Sequence, residues 1–224
     1  SCNAPSRMLV HSSVYDQAVQ IAKLAAERVQ VDQPTKEGMH LGPLSSRVQF
    51  DKVQGLIKVG IDEGAEVVAG GLGKPEGLET GYFVKPTVFA GVNNQMTIAQ
   101  EEVFGPVLTM IPFDTEEDAI SIANDTPYGL AAYVQTGNRD RAARLCKKLR
   151  AGAVHINGGA YEYGSPFGGY KASGNGREGG EMGLEDFLET VGDEDEAGTV
   201  LQVADDAEQE IDLLLLQHGG RLIE

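Results

Sequence analysis

The stretch VLTMIPFDTEEDAISIANDTPYGLAAYVQTGNRDRAARLCKKLRAGAVHIN, residues 107–157, alternates short apolar runs with amphipathic ones. The apolar runs, 107–111, 131–134 and 153–157, have the length and composition of buried strands. The amphipathic runs between them have helical spacing, and Thr115 with Asp118 forms a capping-box pattern. Strands that alternate with helices of this length predict crossover connections and a mostly parallel sheet with helices on both faces.

The same alternation extends towards the N-terminus. Residues 8–10 and 66–69 are predicted strands, and 83–89 is predicted to be extended, with Pro86 keeping part of it out of a central ladder. Ser12 or Ser13 would cap a first helix, and Ser45 or Ser46 a second one that Gly64 closes. The first helix would bury the apolar face formed by Val14, Ala18, Ile21, Ala22, Ala25 and Val29. The predicted fold class is therefore α/β.

Composition and charge exclude several classes of partner. The chain has 224 residues, 41% of them hydrophobic, and a formal net charge of −16. This charge disfavours nucleic acids and anionic membrane surfaces, and the longest dense apolar run, Leu213–Leu216, is far too short to cross a membrane. The four histidines show no ligand spacing, so no metal site is expected. Two cysteines form no disulfide framework, which predicts a reducing compartment such as the cytoplasm.

The acidic residues are concentrated at the C-terminal end. Residues 192–224 contain ten acids against the single base Arg221, so this segment carries −9 of the net charge. The shift in composition predicts a boundary near Gly192. We therefore expect one domain over residues 1–191 and an acidic C-terminal appendage over 192–224, whose role the sequence leaves open.

Three segments could carry chemistry, and each has an alternative interpretation. Cys2 lies in a predicted loop just before a strand, where a nucleophile could stand, whereas Cys146 lies beside Leu145 and Leu149 and is expected to be buried and inert. Residues 174–179, GNGREG, match the dinucleotide fingerprint, but no apolar strand precedes them, so a packed glycine-rich loop is expected instead. Residues 101–107, EEVFGPV, place two acids and an aromatic in a turn ahead of a strand, which fits either a solvated turn or a ligand contact.

Taken together and in order, these segments resemble the catalytic domain of the aldehyde dehydrogenase superfamily. The resemblance covers about residues 1–191. It is carried by Cys2-x-Ala4-x-x-Arg7, Gly42-Pro43-Leu44, Gly64-Ala65 with Gly70-Gly71, Gly81-Tyr82-Phe83 with Pro86-Thr87-Val88-Phe89, Glu101-Glu102-Val103-Phe104-Gly105-Pro106-Val107, Asn124-Asp125-Thr126-Pro127-Tyr128-Gly129-Leu130, Gly152-x-Val154-x-Ile156-Asn157, and the glycine-rich run from Pro166-Phe167 to Gly180.

The resemblance implies an activity and a set of site residues. Cys2 would be the nucleophile that turns an aldehyde into a thiohemiacetal and then a thioester, with its own backbone N–H as one oxyanion donor. Glu102 would hold the nicotinamide ribose of NAD or NADP, and Phe104 would pack near the nicotinamide ring. Asn157 and Phe167 would lie around the substrate tunnel. The family habit also implies a homo-oligomer.

The chain also departs from the family pattern. The cofactor-binding domain, the oxyanion-hole Asn and the water-activating Glu that normally precede the cysteine are not in this sequence, so we expect residues to be missing before Ser1. Three hypotheses follow: the catalytic portion of an NAD(P)-dependent aldehyde dehydrogenase, which is inactive alone; a truncated, catalytically silent domain that acts only in oligomer or partner contacts; or a relative that passes the acyl group to coenzyme A or phosphate. The sequence does not name the aldehyde.

Overall fold

The structure is a computed structural model that describes residues 1–159 and 164–188. The helices are α1 (Tyr15–Arg28), α2 (Arg47–Asp62), α3 (Thr97–Gln100), α4 (Glu116–Asn124), α5 (Arg139–Lys148) and α6 (Gly180–Leu188). The strands are β1 (Arg7–His11), β2 (Glu66–Ala69), β3 (Thr87–Ala90), β4 (Val107–Phe113), β5 (Ala131–Val134) and β6 (Ala153–Ile156). Every strand and helix predicted between residues 8 and 157 is present.

A four-stranded sheet organises the first of two compact units, residues 1–127 with 143–149. The strand order is β1-β4-β3-β2. Strands β1 and β3 both run parallel to β4, and β2 pairs antiparallel to β3 at the edge. The predicted α/β class and the mostly parallel sheet are confirmed.

Helices cover both faces of this sheet because neighbouring strand residues point to opposite sides. On one face Val10, Val88 and Met110 pack with Val19 of α1. On the other face the largest buried side chains come from the sheet and from α2 and α3, namely Phe89, Ile111, Val53, Ile57 and Ile98. The two faces therefore give two separate apolar clusters.

Helix α1 differs from its prediction in two respects. Val19 is its buried residue, and Ala18 and Ala22 pack beside it as predicted, whereas Ile21 is 60% exposed, so the buried stripe is rotated about the helix axis from the predicted one. Neither Ser12 nor Ser13 caps the helix. Instead, the ring nitrogen Nδ1 of His11 accepts a hydrogen bond from the backbone N–H of Ser13, at the start of a 3-10 turn that leads into α1.

The second compact unit comprises, within the described residues, 128–142, 150–159 and 164–188. Its described part contains β5 and β6, which pair in parallel with Ala131 opposite Ala153 and Val134 opposite Ile156. The border between the two units falls within α5. The acidic segment 192–224 and the predicted boundary near Gly192 lie outside the described residues.

Candidate active site

The segments that contain Cys2 and Glu102 lie at one edge of the four-stranded sheet. Cys2 precedes β1, and Glu102 precedes β4. These two strands are adjacent and parallel, so the chain enters both of them from the same edge. The carbonyl of Ser6 accepts hydrogen bonds from Thr109, at 2.9 Å from its backbone nitrogen and 3.1 Å from its Oγ1, which fixes the Cys2 segment against the start of β4.

Cys2 lies in a tight turn and is exposed. The backbone N–H of Ala4 donates to the carbonyl of Ser1 at 3.2 Å, and the hydroxyl of Ser1 donates to the side-chain oxygen of Asn3. Cys2 and Cys146 are both free thiols. Cys146 is exposed too, so the prediction that it is buried beside Leu145 is wrong: its side chain projects from α5 towards solvent.

Helix α2 holds the backbone of the turn that contains Glu102 and Phe104. The side-chain amide of Gln49 donates to the carbonyls of Val103 at 2.9 Å and Phe104 at 3.0 Å. Lys52 Nζ donates to the carbonyl of Glu102 at 2.7 Å. Sequence reasoning missed Gln49 and Lys52, since polar residues on an amphipathic helix give no sign that they reach a distant turn.

The side chains of Glu102 and Phe104 point outwards, whereas Val103 between them is buried in the core. Phe104 has a φ of 53°, a left-handed conformation that is uncommon for an aromatic residue, and it is 51% exposed. Glu102 is exposed, and its carboxylate accepts no hydrogen bond from the described residues. Gly105 allows the turn to approach α2, because a Cβ there would lie 2.8 Å from Cγ2 of Val53. The strained backbone and the free side chains are features of a ligand-contacting turn.

Asn157 and Phe167 belong to the second unit. Asn157 follows β6 with a φ of 51°, and its side-chain amide donates to the carbonyl of Thr136 and accepts from the backbone N–H of Thr136, both at 2.8 Å. The amide of Asn157 therefore fixes the end of β5 to the end of β6. Phe167 forms two backbone hydrogen bonds of 2.7 Å with Glu178. It lines a cavity of about 370 Å³ together with residues of the glycine-rich loop.

The glycine-rich loop is not built as a dinucleotide fingerprint. A 3-10 turn, Lys171–Ser173, leads into it instead of a strand, as the sequence predicted. Arg177 folds back over the loop: its Nη1 donates to the carbonyl of Gly169 at 2.9 Å, and its guanidinium lies 5.0 Å from the ring centre of Tyr170. Gly168 is required for this packing, because a Cβ there would come within 2.2 Å of the carbonyl oxygen of Gly176.

Metal centres and membrane spans are both absent from the described residues. No cluster of three or more His, Cys, Asp or Glu side chains within them is arranged to bind a metal ion. None of their helices combines the length and apolar character of a membrane span.

An exposed cysteine and an acidic-aromatic turn at one sheet edge define a candidate site for covalent catalysis. The model of the aldehyde dehydrogenase family matches residues 1–191, and the chain belongs to this family. A curated relative, 3-succinoylsemialdehyde-pyridine dehydrogenase from a Pseudomonas species, is 52% identical over 189 residues, which cover 84% of this chain and 40% of the relative.

Solved structures that are similar to this chain are also aldehyde dehydrogenases. An aldehyde dehydrogenase from Bartonella henselae is 51% identical with a TM-score of 0.82, and it matches 84% of this chain and 39% of its own. Aldehyde dehydrogenase C from Pseudomonas syringae, a cysteine-to-alanine mutant in complex with NAD+ and octanal, is 44% identical with a TM-score of 0.81 over 84% of this chain and 39% of its own. An aldehyde dehydrogenase from Mycobacterium tuberculosis in complex with NAD+ is 49% identical with a TM-score of 0.80 over 84% and 38%. The chain thus spans about 40% of the length of these relatives.

Proposed function

We propose that this chain is the catalytic portion of an NAD(P)-dependent aldehyde dehydrogenase, with Cys2 as the nucleophile and residues 1–191 as the catalytic domain. The observation that carries the proposal is the shared sheet edge, where the exposed thiol and the turn with Glu102 and Phe104 precede adjacent parallel strands. Membership of the family supports the reaction class.

The turn before β4 fits the nicotinamide ribose end of NAD or NADP. The Glu102 carboxylate is exposed and has acceptor capacity for two ribose hydroxyls. The half-exposed Phe104 ring offers an apolar surface to a planar group. Gln49 and Lys52 hold the backbone carbonyls of the turn, so the side chains stay directed outwards. The complexes of two relatives with NAD+ favour NAD as the first cofactor to test.

Cys2 performs the covalent steps. Its thiolate adds to the aldehyde carbonyl carbon, a C–S bond forms, and the negative charge passes to the carbonyl oxygen, for which the backbone N–H of Cys2 is a candidate donor. When bound, the nicotinamide cofactor supplies the acceptor for the hydride of the aldehyde carbon. The acyl group is then held on Cys2 as a thioester, and water releases it as a carboxylic acid while the thiol is regenerated.

The remaining site residues serve the substrate side of this proposal. Phe167 lies beside a cavity and would line the substrate tunnel. Asn157, whose amide is occupied by Thr136, would shape the tunnel through the backbone it fixes. The homo-oligomer rests on the family resemblance, and the cytoplasm on the two free thiols.

A cysteine swap in a complete protein that carries this sequence tests the proposal. NADH formation is measured with octanal as the probe aldehyde. Cys2→Ser should lower kcat about 10³-fold or more, because a hydroxyl is a far weaker nucleophile than a thiolate at neutral pH. Cys146→Ser is the matched control, and it should leave kcat within about twofold, the scatter expected of an exposed substitution.

The same assay separates the alternatives. Octanal-dependent NADH formation that survives Cys2→Ser would refute Cys2 as the nucleophile. A complete wild-type protein with no turnover on any aldehyde would favour the catalytically silent domain. Turnover that requires added coenzyme A or phosphate would favour an acyl-transferring relative.

A further inference from the structure

A hydrogen-bonded network surrounds Asn94, a buried residue in the loop between β3 and α3. The side-chain oxygen of Asn94 accepts a hydrogen bond from Arg7 Nη2. Its side-chain nitrogen donates to Asp125, at 2.7 Å from the carbonyl oxygen and 2.8 Å from the carboxylate. The amide of Gln100 donates to the carbonyls of Asn94 at 2.6 Å and Asp125 at 2.9 Å. Every polar atom of the Asn94 side chain is therefore occupied.

Arg7 is the member of this network that is nearest to Cys2 in the sequence. It is the first residue of β1, and its Nη2 also donates to the carbonyl of Ile122 at 2.6 Å, in the last turn of α4. A cation is favourable there, because the terminal carbonyls of a helix lack intrahelical partners. Burial lowers the pKa of the Arg7 guanidinium, and the charge of Asp125 opposes that shift.

Gln100 is the member of the network that is nearest to Glu102 in the sequence. It is the last residue of α3, and only Glu101 separates it from Glu102. The network thus joins the segment of the proposed nucleophile to the segment of the proposed cofactor carboxylate through side chains that contact neither group.

The network has a cost to stability. The Nε atom of Arg7 is buried and has no hydrogen-bond partner among the described residues. A buried donor without a partner destabilises a fold, because nothing offsets the cost of removing the donor from water. An apolar residue at position 7 would avoid this cost but would leave the side-chain oxygen of Asn94 and the carbonyl of Ile122 without the donor that Arg7 supplies, so the network as a whole depends on this side chain.

We propose that Arg7, Asn94 and Gln100 are positioning residues, which couple the segment of Cys2 to the turn of Glu102 so that the two keep one relative placement. This inference rests on the proposed function, because it assigns a catalytic purpose to the coupling. The sequence motifs include Arg7 and Asp125 but not Asn94 or Gln100, the two residues that join them.

Hydrogen exchange on the full chain tests the coupling through cross-effects. Gln100→Met removes the donors next to Glu102, and Arg7→Lys keeps the charge near Cys2 while one ammonium cannot reproduce the fork of a guanidinium. If the network couples the two ends, Gln100→Met speeds amide hydrogen exchange in residues 1–6, and Arg7→Lys speeds it in residues 101–106. Each rate should rise by about threefold or more, which is equivalent to roughly 0.6 kcal/mol. Gln20→Met, at an exposed position of α1, is the matched control and changes neither segment.

Faster hydrogen exchange only in the segment next to each substituted residue would overturn the coupling. An equal rise across the whole first unit, including the buried strand β3, would overturn it too, since that is simple destabilisation. The two variants alter opposite ends, so a variant that fails to fold leaves the other to decide.

Kinetics on a complete protein separate this inference from the proposed function. Arg7→Lys should lower kcat about tenfold with the KM for NAD+ within about twofold, because misplacing reacting groups slows the chemical step. Cys2-dependent turnover with an unchanged kcat in Arg7→Lys would overturn the positioning role and leave the proposed function intact. Absence of Cys2-dependent turnover in the wild type would overturn the proposed function and the catalytic purpose together, whatever the exchange data show.

Discussion

Two neighbouring acids, Glu101 and Glu102, provide a test at the scale of single residues. Both are exposed and carry the same charge, and only Glu102 matches the family position proposed to hold the ribose. Glu102→Gln in a complete protein should weaken cofactor binding about 10- to 100-fold, because hydrogen bonds to an ionised acceptor contribute about 1.5–3 kcal/mol. The KM for NAD+ and the iodoacetamide labelling of Cys2 are measured together. Labelling should be unchanged, and Glu101→Gln should affect neither quantity.

An equal loss in Glu101→Gln and Glu102→Gln would show that the site responds to net charge alone. Unchanged cofactor kinetics in Glu102→Gln would remove the ribose role from this residue.

The residues of the candidate site differ in how far the sequence could predict them. Cys2, Glu102 and Phe104 were proposed from motifs, because chemistry restricts the residue type at such positions. Gln49 and Asn94 could not be proposed in the same way. Each acts through one amide that meets a partner distant in the sequence, and such a contact exists only once the sheet has formed.

At the scale of secondary-structure elements, the N-terminus of α2 tests capping. The sequence offers two adjacent serines, and the structure uses Ser46, whose hydroxyl accepts a hydrogen bond from the backbone N–H of Gln49 at 3.2 Å. Ser46→Ala should lower the free energy of unfolding by about 1 kcal/mol, the usual cost of a lost N-cap. Urea denaturation should show a lower midpoint at constant slope. Ser45→Ala is the matched control, with an expected change below about 0.5 kcal/mol. Equal effects of the two substitutions would contradict the assignment of Ser46 as the cap.

Helix caps were predictable where the pattern is local. Thr115 and Asp118 form both halves of a capping box on α4, as their spacing predicted. The prediction for α1 failed because the ring of His11 takes the position expected of a serine hydroxyl. The buried stripe of α1 also shifted, since tertiary packing sets the face that meets the sheet: Val19 is buried there beside the predicted Ala22, whereas Ile21 is exposed. Hydrophobic periodicity predicts that a helix exists more reliably than it predicts which face of that helix is buried.

At the scale of the whole molecule, the sequence predicted the class of the sheet but not its strand order. The order β1-β4-β3-β2 places the first strand beside the fourth, through a crossover that no local pattern specifies. The shared edge of Cys2 and Glu102 depends on this order. Eight motifs in sequence therefore identified the family, whereas the shared sheet edge on which the proposed function rests became visible only in the structure.

Tyr15 connects three elements of the first unit through its hydroxyl, and we expect it to make the stability of the molecule depend on pH. From the start of α1, its hydroxyl donates to the carbonyl of Met110 in β4 at 2.8 Å and accepts from the backbone N–H of Gly91, just after β3, at 2.9 Å. Burial raises the pKa of Tyr15, the charges of Glu66 and Asp16 raise it further, and the hydrogen bond from Gly91 opposes the shift.

The direction of this shift fixes the sign of the pH dependence. In the unfolded chain Tyr15 ionises near its ordinary pKa of 10.0, before it ionises in the folded chain. Its contribution to stability is therefore complete below pH 10.0 and is lost as the pH rises through the higher folded pKa. Tyr15→Phe should destabilise the protein by about 1–2 kcal/mol at neutral pH through the lost hydrogen bonds. Urea denaturation at increasing pH should show this difference shrinking above pH 10.0.

Tyr82→Phe is the matched control, because the Tyr82 hydroxyl makes no hydrogen bond to the described residues. Its free energy of unfolding at neutral pH should stay within about 0.5 kcal/mol of that of the wild type. If the stability curve of Tyr15→Phe runs parallel to that of the wild type as the pH rises, Tyr15 ionises equally in the folded and unfolded chains. The hydroxyl would then be reached by solvent, and the connection from α1 to β3 and β4 would have to rest on the apolar packing of Val19 against Val88 and Met110.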